Sequence, residues 1–351
     1  MKLPEEILDK IIEISYDMNK KDMAQNFRKI SDRYMGEKEG KSLLNKENEA
    51  IVYSIARMPA TYSAVYSAFN QVIKTLEYQK CPYTEKNEKT KDLPDITTLL
   101  DVGAGTGAAS LAISEKLREL DIDLENITCL ERENVMINLG KTLFSESEIN
   151  TIKNASWIQF DINQTIDNSI DSLKSDVVVT SYMLNEFDKE KVLTIVDKLW
   201  NMTRKILIIV EPGTPKDHER IINIKNHLVQ NGAKVIAPCT CQIGCPLPED
   251  DWCNYTCRVE RTKLQKDVKS GEVPYEDEKF TYLAVMKESG FEEKIDSNKK
   301  MARIIRHPII RSNLVEVKMC SDGQVVNKIY TKKDKDVYKS VKKAKVGDII
   351  Y

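Results

Sequence analysis

Five cysteines, Cys239, Cys241, Cys245, Cys253 and Cys257, fall within nineteen consecutive positions of a chain that has eight in all. Cys320 follows much later, while Cys81 and Cys129 stand alone. The crowded stretch also holds Pro238, Gly244, Pro246, Pro248 and the pair Asp250-Asp251, which are residues of turns rather than of a buried element. Single buried cysteines are common in cores. Five thiols in a polar, proline-punctuated loop would instead repel or oxidise one another unless a metal held them. Four thiolates suit either tetrahedral zinc or an iron-sulfur cluster. Zinc ribbons use two tight C-x-x-C pairs, whereas the intervals here are irregular and Cys245 is followed by Pro246, as iron-sulfur ligands often are. Spacing alone leaves both metals open.

A second constellation is the run Asp101-Val102-Gly103-Ala104-Gly105-Thr106-Gly107, delivered by the apolar pair Leu99-Leu100. Glycines at alternate positions let a backbone turn tightly and bring a ligand against the main chain, at the carboxyl end of a strand. With Ala108 the run also matches a dinucleotide fingerprint. Three features favour S-adenosylmethionine: Asp101 stands two residues before the first glycine, acids follow the next two strands, and seven strands can be counted. In that reading Asp101 takes the amino group of the methionine moiety, Glu131 the ribose hydroxyls and Asp161 the adenine amino group. A dinucleotide site or a vestigial loop is the alternative. The fourth strand ends in Ser181-Tyr182-Met183-Leu184-Asn185-Glu186, where the transferable methyl group would face. The Asn-Pro-Pro-Tyr type signature that holds a planar nitrogen is missing there. No catalytic base declares itself, since methyl transfer from a sulfonium needs mostly alignment. Tyr182, Asn185 and Glu186 are the candidates for substrate contact, against the plainer reading of a strand end packed under a helix.

Elements must hold these residues in place. Apolar residues at helical spacing, Ile7, Leu8, Ile11, Ile12 and Ile14 and then Ile51, Ile55 and Met58, predict a helical cap up to about Leu76. The polar stretch 79–95, with Pro82 and Pro94, reads as a linker. Short apolar runs predict strands over 98–102, 127–130, 157–160, 176–180, 206–210, 234–237 and 280–286. Amphipathic runs between them predict helices over 108–120, 135–144, 190–200 and 217–230. The fold class is therefore α/β, a Rossmann-like seven-strand methyltransferase fold. Beyond Met301 come two β segments, 314–319 and 324–330, and a basic helix over 336–345. The expected domains are a cap and linker over 1–95, the methyltransferase-type domain over 96–290 with a cysteine-rich insertion at 238–257, and a basic β-rich segment over 291–351.

A chain of 351 residues buries a sizeable core without disulfide help, and nothing in it forces oligomerisation, so a monomer is expected. Its 41% apolar and 31% charged residues belong to a folded, well-solvated protein. The amino terminus has acids where a signal peptide needs apolar residues, and no run is long enough to span a membrane. A reducing, cytoplasmic location is the expectation, which also disfavours disulfides. The formal charge of -2 hides an asymmetry, because positions 287–351 carry sixteen Lys/Arg against nine Asp/Glu, +7 against -9 for the remainder. That basic end suits an anionic partner, nucleic acid first; a merely solvated lysine-rich surface is the alternative.

Several runs together resemble the Rsm-type ribosomal small-subunit methyltransferase-like family, which has bacterial members and a mitochondrial small-ribosomal-subunit assembly factor. They are Ala56-Arg57-Met58-Pro59-Ala60-Thr61-Tyr62, the Asp101 to Gly107 loop, Glu211-Pro212-Gly213-Thr214-Pro215, Ala237-Pro238-Cys239 through Cys245-Pro246, Asp251-Trp252-Cys253, Arg258-Val259-Glu260-Arg261 and Tyr275-Glu276-Asp277-Glu278-Lys279-Phe280. The resemblance implies a four-iron, four-sulfur ([4Fe-4S]) cluster on Cys239, Cys245, Cys253 and Cys320. The sequence departs at Cys241, where the family usually has His, and at Cys257, an additional thiol, so either is an alternative ligand. The implied partner is the small ribosomal subunit, with rRNA as the methyl acceptor or as the surface of a non-catalytic assembly factor. A small-molecule methyltransferase is the remaining alternative and leaves the cysteines and the basic end unexplained.

Overall fold

The computed structural model describes residues 1–35, 46–79, 95–163, 173–287 and 301–350. In chain order come helices α1 (Glu5–Ile14), α2 (Lys20–Met35) and α3 (Glu47–Gln79), then β1 (Thr98–Val102), α4 (Ala108–Arg118), β2 (Asn126–Glu131) and α5 (Asn134–Phe144). The single turn α6 (Asn150–Lys153) leads to β3 (Ser156–Gln159), β4 (Ser175–Ser181), α7 (Lys189–Met202), β5 (Thr203–Pro212), α8 (Pro215–Gln230) and β6 (Ala233–Ala237). Next are β7 (Tyr255–Glu260), α9 (Lys263–Lys269) and β8 (Tyr275–Lys287). The last elements are β9 (Ala302–Ile304), β10 (Ile309–Ile310), β11 (Leu314–Ser321), β12 (Gln324–Thr331), α10 (Lys335–Lys343) and β13 (Ile349–Ile350).

Contacts divide the chain into two compact units. One comprises Met1–Phe69, Asp95–Glu211 and Cys257–Glu278; the other comprises Asn70–Pro94, Pro212–Thr256 and Lys279–Tyr351, as far as they are described. In the first unit β1 pairs in parallel with β2 and β4, β2 with β3, and β4 with β5. Leu99, Leu100, Val177, Val178, Val179, Ile206 and Leu207 are all fully buried, as parallel strands covered on both faces require. The order of strands reverses between β1 and β4, which is where open α/β sheets bind ligands. The apolar stripe Ile7, Leu8 and Ile11 buries one face of α1. The 33-residue α3 runs on through Pro59.

Within the first unit the strand order is β3-β2-β1-β4-β5. Between β6 and β8 the described residues form one strand more than the seven expected. The additional one, β7, alternates buried Tyr255, Cys257 and Val259 with exposed neighbours, the period of a strand with one covered face.

In the second unit β6 runs antiparallel to β8, with Val235 opposite Val285. A separate antiparallel sheet has the order β10-β11-β9-β13, with β12 on β11. Its core is Ile304, Val315, Val317, Met319, Tyr330, Tyr338, Val341 and Ile350. The basic helix falls at α10, and the two β segments at β11 and β12, close to where they were expected. The linker prolines Pro82 and Pro94, and Cys81, lie outside the described residues.

Candidate functional site

Strand β1 ends at Val102, and the chain turns at once. The amides of Gly103 and Ala104 donate to the Leu130 carbonyl at 2.9 and 3.0 Å, tying the loop to β2. Gly103, Gly105 and Gly107 have φ of +72°, +58° and +86°, a left-handed path that residues with a Cβ rarely follow. Glu131, at the end of β2, braces this loop. Its Oε2 accepts from Gly105 N at 2.8 Å, and its Oε1 accepts from Arg132 N and Glu133 N at 2.8 and 2.9 Å. Burial raises the Glu131 carboxyl against those bonds.

A pocket opens over the loop, lined by Gly103, Gly105, Glu131, Asp161, Tyr182 and Glu186 among others. Asp161 faces it with Oδ1 accepting from Asn163 N at 2.9 Å. Asn185 sits in the short turn Leu184–Glu186 and does not line the pocket. Ala104 and Gly107 lie behind the wall, the latter as the N-cap of α4.

Asp101 lies beneath the loop. It is fully buried, and Oδ2 accepts from Ser110 N at 3.0 Å and Ser110 Oγ at 2.9 Å. Its Oδ1 is buried with no hydrogen-bond partner among the described residues, and Asp101 is not itself among the residues that line the pocket. Burial pushes this carboxyl up to about 7, against the two bonds from Ser110. In an unfolded chain an aspartate ionises near pH ~4. Between those values the unfolded chain releases a proton that the native one keeps, so stability falls as pH rises through this window and levels off above it. Urea unfolding of ligand-free protein at pH 5 and pH 8 is expected to show a larger fall for wild type than for Asp101→Asn. Equal falls would remove the assignment.

Tyr182, just past β4, has φ +56°, a left-handed conformation that costs a bulky residue about 1–3 kcal/mol. Its hydroxyl donates to Glu278 Oε1 at 2.8 Å, and Arg57 grips both oxygens of that carboxylate at 3.1 and 3.4 Å. The Arg57 guanidinium also lies 5.4 Å from the Tyr182 ring centre. Burial, then the adjoining Glu278 charge, holds the phenol far above its usual range. Tyr182 is among the residues that line the pocket, and its hydroxyl proton is committed to Glu278. Sequence reasoning did not find Arg57 or Glu278. The available signal was their place in two of the runs that carried the family resemblance.

The cysteine loop follows β6 in the second unit. The seven described cysteines are all free thiols. Burial pushes the Cys239 thiol up to about 11, with the charges of Cys241, Cys245 and Cys320 adding and that of Lys225 opposing. Burial drives Cys253 higher still, helped by Cys239, Cys245 and Cys320. These thiols therefore sit near enough to oppose one another's ionisation, and only a cation among them reverses that. Thr240 Oγ1 lies 3.3 Å from Cys320 Sγ, and His218 Nε2 lies 3.8 Å from Cys245 Sγ. Among the described residues no three His, Cys, Asp or Glu side chains gather tightly enough to hold a single metal ion. A four-iron cluster asks for a different arrangement, one thiolate per iron around a larger body. Cys257 is buried on β7 and belongs to the first unit.

A family model described as mitochondrial small ribosomal subunit Rsm22 matches residues 47–351. The human mitochondrial ribosome assembly protein METTL17 is 23% identical over 321 residues, which cover 87% of this chain and 63% of that protein. The chain thus spans less than two thirds of that relative's length. Among solved structures, the magnesium protoporphyrin IX methyltransferase of Synechocystis PCC 6803 with bound SAM is 13% identical, over 76% of this chain and 96% of that one, with a TM-score of 0.39. An RNA methyltransferase candidate from Pyrococcus horikoshii is 11% identical, over 63% and 84%, with a TM-score of 0.37.

Proposed function

Because this chain belongs to the Rsm22 family, we propose that it is an S-adenosylmethionine-binding, iron-sulfur protein that acts on or assembles the small ribosomal subunit. The observation that carries the cofactor is the bare, buried Oδ1 of Asp101 under three left-handed glycines. In this reading that oxygen takes an ammonium, directly or through water, and the methionine moiety has one. Glu131 and Asp161 border the same pocket and offer carboxylate oxygens for ribose and adenine. When bound, the cofactor supplies an electrophilic methyl group. Tyr182 Oη, its proton committed to Glu278, accepts a hydrogen bond and so orients a donor-bearing acceptor such as a nucleobase.

Cys239, Cys245, Cys253 and Cys320 are the proposed ligands of a [4Fe-4S] cluster, with zinc as the alternative. Such a centre ties the loop after β6 to β11 and stiffens the basic segment. Lysines of that segment, including Lys339, Lys342 and Lys343 on α10, supply phosphate contacts that position without reading sequence.

Protein purified without oxygen is expected to be brown, with about four irons and four acid-labile sulfides per chain. It should also bind S-adenosylmethionine in calorimetry and sediment with small subunits in moderate salt. Colourless, zinc-loaded protein would refute the cluster, and no affinity for subunits or rRNA at any salt would refute the partner. A second reading is a non-catalytic assembly factor, favoured by the engagement of the Tyr182 hydroxyl with Glu278, which keeps that hydroxyl from serving as a base. Normal assembly with Tyr182→Phe, together with failure of Gly105→Arg, selects it.

A further inference from the structure

Helix α8 buries Ile221, Ile224 and Leu228 along one stripe, and Lys225 is in that stripe, fully buried. Its ammonium donates to the Gly244 carbonyl and lies 3.8 Å from Cys241 Sγ. Those are its partners; among the described residues it makes no ion pair with a carboxylate. The other cations of the loop are differently placed. Arg306 and Lys318 both pair with Asp251, and Arg303 is surrounded by four neutral acceptors. An ammonium has three protons to place, and burying one without an anion costs several kcal/mol even after relaxation. A neutral thiol and one carbonyl do not offset that cost. Thiolates around a metal do, because four of them outweigh the charge of either zinc or a four-iron cluster and leave a net anion.

We propose that Lys225 is the built-in counter-charge of a metal-thiolate centre, a positioning residue whose ammonium holds the Cys241 to Gly244 turn against an anionic group. The proposal rests on the reading that the thiols hold the iron-sulfur cluster. It assigns the one carboxylate-free ammonium in the buried stripe of α8 a partner of the opposite sign. The same ammonium, by stabilising the more negative state of a redox-active centre, raises its midpoint potential.

Full-length wild type, Lys225→Met and Lys225→Arg, purified without oxygen, test this. Retention of iron against the chelator bathophenanthroline is expected to fall about 10-fold to 100-fold in Lys225→Met. Lys225→Arg should restore most of it, which a loss of packing alone does not predict. If iron is present, the Lys225→Met midpoint should move to more negative potential. Unchanged retention and potential in a folded Lys225→Met protein overturns the proposal. Should that variant fail to fold, acetic anhydride labelling of wild type replaces it. Lys225 should be protected with metal bound and acylated once metal is removed, and equal labelling overturns the assignment. Wild type that holds no iron refutes the reading beneath the proposal, whereas iron-loaded wild type beside an equally retentive Lys225→Met protein refutes the proposal alone.

Discussion

Gly107→Ala is expected to lower the stability of the protein by about 3–5 kcal/mol and, on the function proposed above, to abolish S-adenosylmethionine binding with it. At φ +86° a side chain is strained whatever the space, and a Cβ there would lie 2.2 Å from Phe144 Cζ. Phe144 has no way to retreat. Its ring meets Trp157 edge-on at 5.2 Å, and Trp157 is itself pressed onto Gly140, where a Cβ would lie 2.3 Å from the indole. Two glycines thus enclose an aromatic pair, fixing the N-terminus of α4 against α5 and β3. Gly232→Ala is the control, since its φ of +82° imposes the same strain with nothing within 4 Å of the added carbon. It should cost only about 1 kcal/mol. Urea midpoints of the two variants measure the difference, and equal midpoints would show that the stacked rings are not what the glycine serves.

Arg303→Met should be comparably damaging. The guanidinium is fully buried and donates to the Pro238 carbonyl at 2.6 Å, Gln71 Oε1 at 3.1 Å, the Gly347 carbonyl at 2.8 Å and Thr75 Oγ1 at 2.7 Å. Methionine fills much of the volume and leaves all four acceptors bare in a region that water does not reach. The expected loss is about 3–5 kcal/mol. Arg303→Lys keeps the charge, but one ammonium cannot span four acceptors on three segments, so it should recover only part of the loss. Because Pro238 precedes Cys239, reaction of that thiol with a disulfide reagent should also accelerate in both variants. A stability change under about 0.5 kcal/mol, the usual effect of a surface substitution, would sink this account.

The parallel strands were legible because burial on both faces leaves an apolar run that little else produces. The run predicted over 98–102 is β1 to the residue, and 127–130 falls inside β2. The strand β7 was obscured by Cys257, whose thiol invited grouping with the neighbouring cysteines although Tyr255, Cys257 and Val259 already alternated as a strand does. Strands β9, β10 and β13 have three residues or two, too few for any period to show. In the candidate site the turn of the glycine loop after β1 was readable from local spacing. Arg57 and Glu278 were not, because 221 positions separate them and no local pattern encodes such a meeting. Lys225 did leave a trace, a charged residue at the inward spacing of an apolar stripe.

The Arg303 clamp has a consequence for how the protein comes into being. Pro238 waits for a donor 65 positions further along the chain, and that donor also needs Gly347 to be in place. During synthesis, then, the thiol-bearing turn can be tied at once to α8 and β6, through Lys225, Asn226 and Val235, while its Pro238 end stays without this donor. A polypeptide interrupted before position 303 would lack both the guanidinium and Cys320.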